Sequence, residues 1–302
     1  MQTVLITGAN GFVGNYLSEK LAQHANVIAT GKGDCRLSFT APTLRYVELD
    51  ITAEAQVETV LFGVKPDCII HCAAISKPDL CEQDHALADG VNVDATRHLL
   101  AHAGGAHFIY LSTDFVFDGA KGFYREDDEQ SPVNYYGLTK KRAEELVHGY
   151  AGPWTIVRTV LVYGAPRAGR GNLLTMVADA LAEGKSLRIF SDQLRTPTYV
   201  EDLVDALVKI TLEHRAGTWH VSGADARTPF EMAVATARLL GLDETLIAPE
   251  TEQTFAQPAR RPPKTGFDIS KAVRELDYKP TSFEEGLRKT FSIDEGKNAD
   301  LL

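Results

Sequence analysis

The chain has 302 residues, 44% hydrophobic and 24% charged, with a formal net charge of −10. At about 100–200 residues per domain, that length makes one large domain or two closely packed ones. The acidic balance argues against a nucleic-acid backbone as main partner, which needs clustered cations, and no apolar run approaches the roughly 20 residues of a membrane span.

Residues 3–7 read as a strand, which the opening MQTVLITG enters without a basic n-region or apolar h-region; a cytoplasmic protein is expected. A helix follows over 12–23, then strands over 26–30 and 44–49, a helix over 53–62 and a strand over 68–71. A long helix over 87–103, a strand over 107–112, a helix over 134–150 and a strand over 154–158 complete the first half. Strands alternating with helices form βαβ units and a parallel sheet. Val, Ile and Leu dominate these strands, as they do where both faces are covered.

After about residue 163 the pattern changes. Residues 165–171, rich in Gly, Ala and Arg, read as a mobile loop. Helices are expected over 173–183, 200–212 and 229–240, with short strands near 187–190 and 219–221. The segment AQPARRPPK over 256–264 is too rich in proline for helix or strand, and 294–302 reads as a frayed tail. The expected architecture is a Rossmann-type doubly wound parallel α/β sheet from residues 1–163, with about 191–221 returning to it. Residues 164–190 and 222–292 would form a smaller C-terminal α/β lobe, with a cleft between the two. The four cysteines, Cys35, Cys68, Cys72 and Cys81, show no Cys-x-x-Cys, and no histidine pair has zinc spacing. Reduced core thiols and no metal site are expected.

The first strand runs into Gly8-Ala9-Asn10-Gly11-Phe12-Val13-Gly14. A Gly-x-x-Gly-x-x-Gly is weak evidence alone, but here it follows a strand and opens a helix, the context a dinucleotide site requires. Gly8 permits the tight turn, Gly11 lets the backbone approach a pyrophosphate at the helix N-terminus, and Gly14 lets the helix pack closely. An NAD site usually offers Asp or Glu at the end of the second strand. Here that strand continues into Gly31-Lys32-Gly33-Asp34-Cys35-Arg36. Lys32 and Arg36 suit the 2′-phosphate of NADP(H), which is favoured over NAD(H). Asp34 is a weak counter-signal, and the two cations also read as solvated loop charges.

Tyr136 and Lys140 stand four residues apart, on one face of a helix. A tyrosine is a poor acid/base at neutral pH, and a nearby ammonium would favour the phenolate and lower its pKa. Tyr135 is the weaker candidate, because its i+4 partner is Thr139. The fifth strand ends in LSTDFVFDG, which places Thr113 where strand ends face the ligand crevice. Its hydroxyl can donate to a substrate carbonyl or simply cap the strand end.

Together these elements resemble the extended short-chain dehydrogenase/reductase family, and within it the dTDP-4-dehydrorhamnose reductase group. The likeness is carried by GANGFVG, STDFVFDG, YYGLTKKRAEE, VRTVLVYG, SDQLRTPTYVEDLVDAL and GTWHVSG. HCAAISKPDLCEQDHALADGVNVDATRHL and ARRPPKTGFDISKAVRELDYKPTSFEEGL carry it further, so that it covers nearly the whole chain. The resemblance implies reduction of a keto group on a nucleotide sugar, with hydride from the nicotinamide and a proton from Tyr136. Lys140 would bind the nicotinamide ribose, and Thr113 would align the carbonyl. Asp50 and Ile51 would border the adenine, and Ala73 and Ala74 would let the dinucleotide cross the fourth strand end. Ser76, Phe115, Asn172, Gln193, Arg195, Thr196, Arg260 and Arg261 are its candidates for substrate contact. The last two would meet the diphosphate, where a guanidinium fits well. Arg158 is expected to be structural.

One departure stands out. The reductase pattern usually carries Tyr where this chain has Phe115, so a hydroxyl that could touch the sugar is absent. Related 4,6-dehydratases place Asp-Glu after the threonine, whereas Asp114 here precedes Phe115, and that elimination lacks its base. An epimerase, another carbonyl reductase, and a non-catalytic NADP-binding regulatory subunit like the β-subunit of methionine adenosyltransferase remain alternatives. Helices 87–103 and 134–150 can pair across a homodimer in this superfamily, although helices with one apolar face more often pack on their own sheet.

Overall fold

The computed structural model describes residues 1–167, 171–255 and 257–293. Residues 168–170 of the expected loop, residue 256 of the proline-rich segment and the tail 294–302 lie outside the described residues.

The first half alternates strand and helix. It comprises β1 (Thr3–Thr7), α1 (Phe12–Ala22), β2 (Asn26–Gly31), β3 (Leu44–Glu48), α2 (Glu54–Val64) and β4 (Cys68–His71). There follow α3 (Pro78–Gln83), α4 (His85–Asp89), a π-helical turn (Gly90–Asp94), α5 (Ala95–Ala101), β5 (His107–Thr113), α6 (Tyr135–His148) and β6 (Trp154–Thr159). The remainder is β7 (Val162–Tyr163), α7 (Leu173–Ala182), β8 (Leu187–Phe190), β9 (Thr198–Tyr199), α8 (Val200–Leu212), β10 (Gly217–His220), α9 (Pro229–Leu240), β11 (Ile247–Glu250), α10 (Ser270–Leu276) and α11 (Phe283–Thr290).

Seven parallel strands form the main sheet in the order β10-β6-β5-β4-β1-β2-β3. Side chains alternate across it, as the strand period of two demands. Val4 and Ile6 join Leu17 and Leu21 of α1 and Leu203 and Leu207 of α8 on one face. Leu5 joins Val57 and Leu61 of α2, Leu99 of α5 and Val147 of α6 on the other. Each such aliphatic side chain contributes about 1.5–3 kcal/mol when fully buried. The strand order reverses between β1 and β4, so the crevice beyond their carboxyl ends is where such a sheet binds ligands.

A two-stranded sheet, β8 with β11, packs with α7 and α9 around Val177, Leu181, Ile189, Ala237 and Ile247. Strand β11 was not expected; it contains Pro249 but pairs only with β8, and an edge strand tolerates the missing N–H. The described residues of the proline-rich segment, 257–264, have neither helix nor strand, as their composition predicts. Together with the residues up to Gly266 they form a strap held by main-chain bonds from Leu194 N to the Pro263 carbonyl (2.7 Å) and from Tyr124 N to the Gly266 carbonyl (2.9 Å).

Two expectations need correction. The long helix over 87–103 is broken into α4, the π-helical turn and α5, with α3 before them. Asp84 caps α4 by accepting from Leu87 N at 2.9 Å. The wider turn points Asn92 inward, where its Oδ1 accepts from Ile75 N (2.8 Å) and its Nδ2 donates to the Ile75 carbonyl (3.2 Å) and Thr139 Oγ1 (3.0 Å). That demand on a buried amide is what the extra residue in the turn accommodates. The second correction concerns the cysteines: Cys68 and Cys81 are buried and Cys72 is half-buried, but Cys35 is exposed. Burial pushes the Cys72 thiol up to about 12 and Cys81 up to about 11, so both stay protonated at neutral pH.

Replacing Asn92→Ala leaves the Ile75 amide without its acceptor and the Ile75 carbonyl with only the weak Cys81 thiol donor. Urea denaturation is expected to show a loss of about 1–3 kcal/mol, while substitution of the half-buried Asp94, which pairs with Arg97 on the helix surface, changes little.

Candidate active site

At the end of β1 the chain turns through Gly8, whose φ of +72° excludes most side chains; a Cβ there would lie 2.7 Å from Ala73 N. A Cβ on Gly14 would lie 2.3 Å from the Gly8 carbonyl oxygen, so α1 sits directly on the loop. At Gly11 a Cβ would meet only that same oxygen, at 3.1 Å, and its other side is open. No side chain caps α1, which leaves the N–H groups of its first turn, beginning at Phe12, Val13 and Gly14, turned toward an anion. This backbone cradle fits a dinucleotide pyrophosphate.

The neighbouring loop is organised by Asn10. Its Nδ2 donates to the Asp34 carbonyl and to Tyr46 Oη, both at 2.9 Å, and its Oδ1 accepts from Arg36 N at 2.8 Å. The Asn10 amide therefore shapes the pocket wall. The Lys32 ammonium sits 2.7 Å from Asp50, whose carboxyl is pulled down to about 2 by Lys32 and then by Thr52. Arg36 is exposed. Ile51 is buried in the core cluster behind β1. Ala73 and Ala74 are half-buried just past β4. Beside them His71 bridges Thr7 Oγ1 (2.7 Å) and Thr96 Oγ1 (3.1 Å), and burial pulls it down to about 3, with the Lys140 ammonium adding to the effect.

Helix α6 begins where Asn134 Oδ1 accepts from Gly137 N at 2.9 Å. A Cβ on Gly137 would fall 2.1 Å from the Phe115 carbonyl oxygen, so the helix lies hard against the turn that follows β5. This contact brings Tyr136, on α6, beside Thr113, the last residue of β5. The Thr113 hydroxyl donates to Asp114 Oδ1 at 3.0 Å and accepts from Phe115 N at 3.3 Å. The Phe115 ring stands edge-on to Tyr136 with centroids 5.7 Å apart. Lys140 donates to the Leu111 carbonyl at 2.8 Å and lies 4.0 Å from the centre of the Tyr110 ring.

The electrostatics of this trio differ from the expected tuning of phenol by ammonium. Burial pushes Tyr136 up, and the Thr113 hydroxyl only partly opposes it. Burial also pulls Lys140 down to about 7, against the pull of the Glu144 carboxylate. The phenol is therefore held protonated, the state a proton donor needs before reaction.

The substrate candidates divide into two groups. Arg195 is buried; its Nη1 donates to the Leu194 carbonyl (2.8 Å) and its Nη2 to Gln193 Oε1 (3.3 Å), and its Nε lies 3.9 Å from Asp114. Its guanidinium also lies 5.7 Å from the Phe115 ring centre, so Gln193, Arg195 and Phe115 share one wall with Asp114. Asp114 itself accepts from Thr265 and is raised by burial. The second group is otherwise engaged. Asn172 caps α7 through Leu174 N (3.0 Å) and Thr175 N (3.4 Å) and donates to the Gly164 carbonyl. Thr196 donates to Ser222 (3.0 Å) and accepts from Phe267 N (3.3 Å). Arg261 grips Asp79 with two bonds of 2.6 and 2.8 Å. Arg260 is exposed, 3.7 Å from Glu252, and its carbonyl accepts from Asn134 Nδ2 at 2.7 Å. Ser76 is exposed at the cleft edge. Sequence reading missed Asp79, which carries no local signal, and Glu144, whose signal was its place one helical turn beyond Lys140.

The family model described as "RmlD substrate binding domain" matches residues 1–295. The chain belongs to this family. It is an oxidoreductase-type chain of the extended short-chain, dTDP-4-dehydrorhamnose reductase-like group. A dTDP-4-dehydrorhamnose reductase from Streptomyces griseus is 34% identical over 282 residues, covering 88% of this chain and 86% of that protein. Methionine adenosyltransferase 2 subunit beta from Xenopus tropicalis is 32% identical over 297 residues, covering 95% and 86%. The crystal structure of the Bacillus anthracis dTDP-4-dehydrorhamnose reductase in complex with NADP superposes with a TM-score of 0.84 at 29% identity, covering 97% of this chain and 99% of that one.

Two measurements test this geometry. Gly14→Ala forces α1 off the phosphate loop, and thermal unfolding is expected to show a loss of about 1–3 kcal/mol. Lys140 gives a pH signature. Its folded pKa is about 7. Between there and about 10 the unfolded chain carries the extra proton, so stability rises with pH across that window. In urea melts of the ligand-free protein, Lys140→Met is expected to flatten that rise; an unchanged slope would show that Lys140 is not desolvated.

Proposed function

We propose that this chain is an NADPH-dependent reductase of a 4-keto-6-deoxy nucleotide sugar. The observation that carries the reading is the meeting of Thr113, Tyr136 and Lys140 at the end of β5, with the glycine loop of β1 in the same crevice. NADPH, when bound, supplies the hydride. The Tyr136 hydroxyl gives its proton to the carbonyl oxygen as the alcohol forms, and solvent then restores the proton. Thr113 aligns the carbonyl by hydrogen bonding, and Lys140 holds the nicotinamide ribose and stabilises the phenolate left on Tyr136.

Gly8, Gly11 and the N-terminal turn of α1 hold the pyrophosphate. Lys32 and Arg36, which follow a strand with no carboxylate at its end, favour the 2′-phosphate of NADP, and the NADP complex of the Bacillus anthracis relative supports NADP binding. Phe115, Gln193 and Arg195 line the sugar. Arg260, exposed and free to turn from Glu252, would meet the diphosphate, whereas Arg261 would do so only by leaving Asp79.

A second reading, a non-catalytic NADP-binding regulatory subunit, is favoured by the likeness to methionine adenosyltransferase 2 subunit beta. Loss of NADPH absorbance in the presence of a dTDP-4-keto-6-deoxy sugar separates the two. The reductase reading expects stoichiometric oxidation of NADPH, cut about 10²–10⁴-fold by Tyr136→Phe. NADPH binding with no turnover of any such sugar selects the regulatory reading. An epimerised product without net NADPH loss selects an epimerase on the same scaffold.

A further inference from the structure

Beneath the Tyr136 and Lys140 face of α6 lies a buried polar cluster that the proposed reaction does not use. Glu144, one turn beyond Lys140, is fully buried. Arg158 at the end of β6 grips its carboxylate through Nε (3.0 and 3.2 Å) and Nη2 (2.7 Å). Ser112, the residue before Thr113, donates to it at 2.5 Å, and Gln130 does so at the same distance. Arg158 is fixed in turn by the Glu126 carbonyl (3.1 Å) and by His220 Nε2 (3.2 Å). Burial keeps His220 neutral, and its Nδ1 donates to the Tyr124 carbonyl at 2.9 Å.

The placement matters because one carboxylate touches all the elements that must agree. The trio comes from two elements: Thr113 ends β5, while Tyr136 and Lys140 stand on α6. Neither element alone fixes the distance between them. Glu144 bonds to β5 through Ser112 and to β6 through Arg158, and it is rigidly attached to α6. A buried ion pair is seldom an efficient source of stability, since desolvation cancels much of its attraction, so its presence asks for another reason.

We infer that Glu144 is a positioning residue of the reductase centre: gripped by Ser112 and Arg158, it fixes the Lys140 face of α6 against the end of β5 and supplies a negative charge one helical turn from Lys140. The inference rests on the reductase reading for its kinetic half only. The Lys140 ammonium is held by the Leu111 carbonyl (2.8 Å) and stands 4.0 Å from the centre of the Tyr110 ring, and the other groups whose charge it feels are His71, the thiols of Cys72 and Cys81, and Glu144. Glu144 is thus the one carboxylate among those neighbours, and the largest influence keeping the ammonium charged.

The sign follows. Without Glu144 the Lys140 ammonium loses its proton at lower pH, so any property that needs the charge fades earlier as pH rises. Glu144→Gln alone strands the Arg158 charge and can unfold the chain, so the test uses the double variant Glu144→Gln/Arg158→Met. NADPH affinity, followed by nucleotide fluorescence against pH, reads Lys140 without any sugar substrate. In the folded double variant the alkaline fall in affinity is expected about half a pH unit lower than in the parent, because the Arg158 cation removed with Glu144 offsets part of the lost negative charge. An unmoved fall in a folded double variant overturns the inference and leaves Glu144 a structural residue.

Ser112→Ala keeps both charges and tests the geometric half. It is expected to lower kcat about tenfold at unchanged KM, with the pH fall unmoved. An unchanged kcat overturns that half, including the case where the double variant does not fold. If the parent turns over no keto sugar, the reductase reading fails, while the shift in NADPH affinity still decides the role of Glu144.

Discussion

A parallel sheet covered by helices on both faces has only its strand ends left for chemistry, and every feature of this molecule follows from that constraint. The seven strands point their carboxyl ends the same way. The order reverses between β1 and β4, which opens a crevice there. The glycine loop, the alanines after β4 and Thr113 at the end of β5 all fall at that edge because the strands carrying them are parallel neighbours. The helices add what strands cannot. Helix α1 brings an uncapped N-terminus, and α6 brings two functional side chains on one face.

That arrangement creates an electrostatic tension. Packing α6 against the turn after β5, close enough that Gly137 has no room for a Cβ, removes Tyr136 and Lys140 from water. Burial alone would leave both neutral. For a proton donor this is half useful, because the phenol keeps its proton but the amine is drawn toward losing its own. The Glu144 carboxylate, buried and already held by a guanidinium, works against the second effect. A bound cofactor would add its own charges to this balance.

Much of this was legible in the sequence. The apolar runs at Thr3–Thr7 and Cys68–His71 could only be buried strands, and the glycine spacing had meaning because of where it fell. Tyr136 and Lys140 were readable because a helix makes i and i+4 neighbours. What escaped was set by distant partners. Arg261 looked like a free cation until Asp79, 182 positions away, was found to hold it. Asn172 and Thr196 looked like polar lining, yet the first caps a helix and the second is shared between Ser222 and Phe267. The break in the helix over 87–103 depends on Asn92 reaching Ile75 and Thr139, contacts that no local propensity encodes.

The strap formed by the proline-rich segment bears on how the protein is made. Asp114 is buried beside Thr113, and its outer oxygen is satisfied by Thr265, 151 residues later. The Asn134 amide that opens α6 likewise donates to the Arg260 carbonyl, 126 residues on. On a ribosome the sheet can assemble as its strands emerge, but this edge must wait. Until the strap arrives, a carboxyl and an amide at the heart of the crevice face water, and the first half is a nearly finished domain with an open side. A late-made part of the chain therefore closes a site begun by the first-made part, and a nascent chain stalled before residue 259 would hold a folded sheet without its completed crevice.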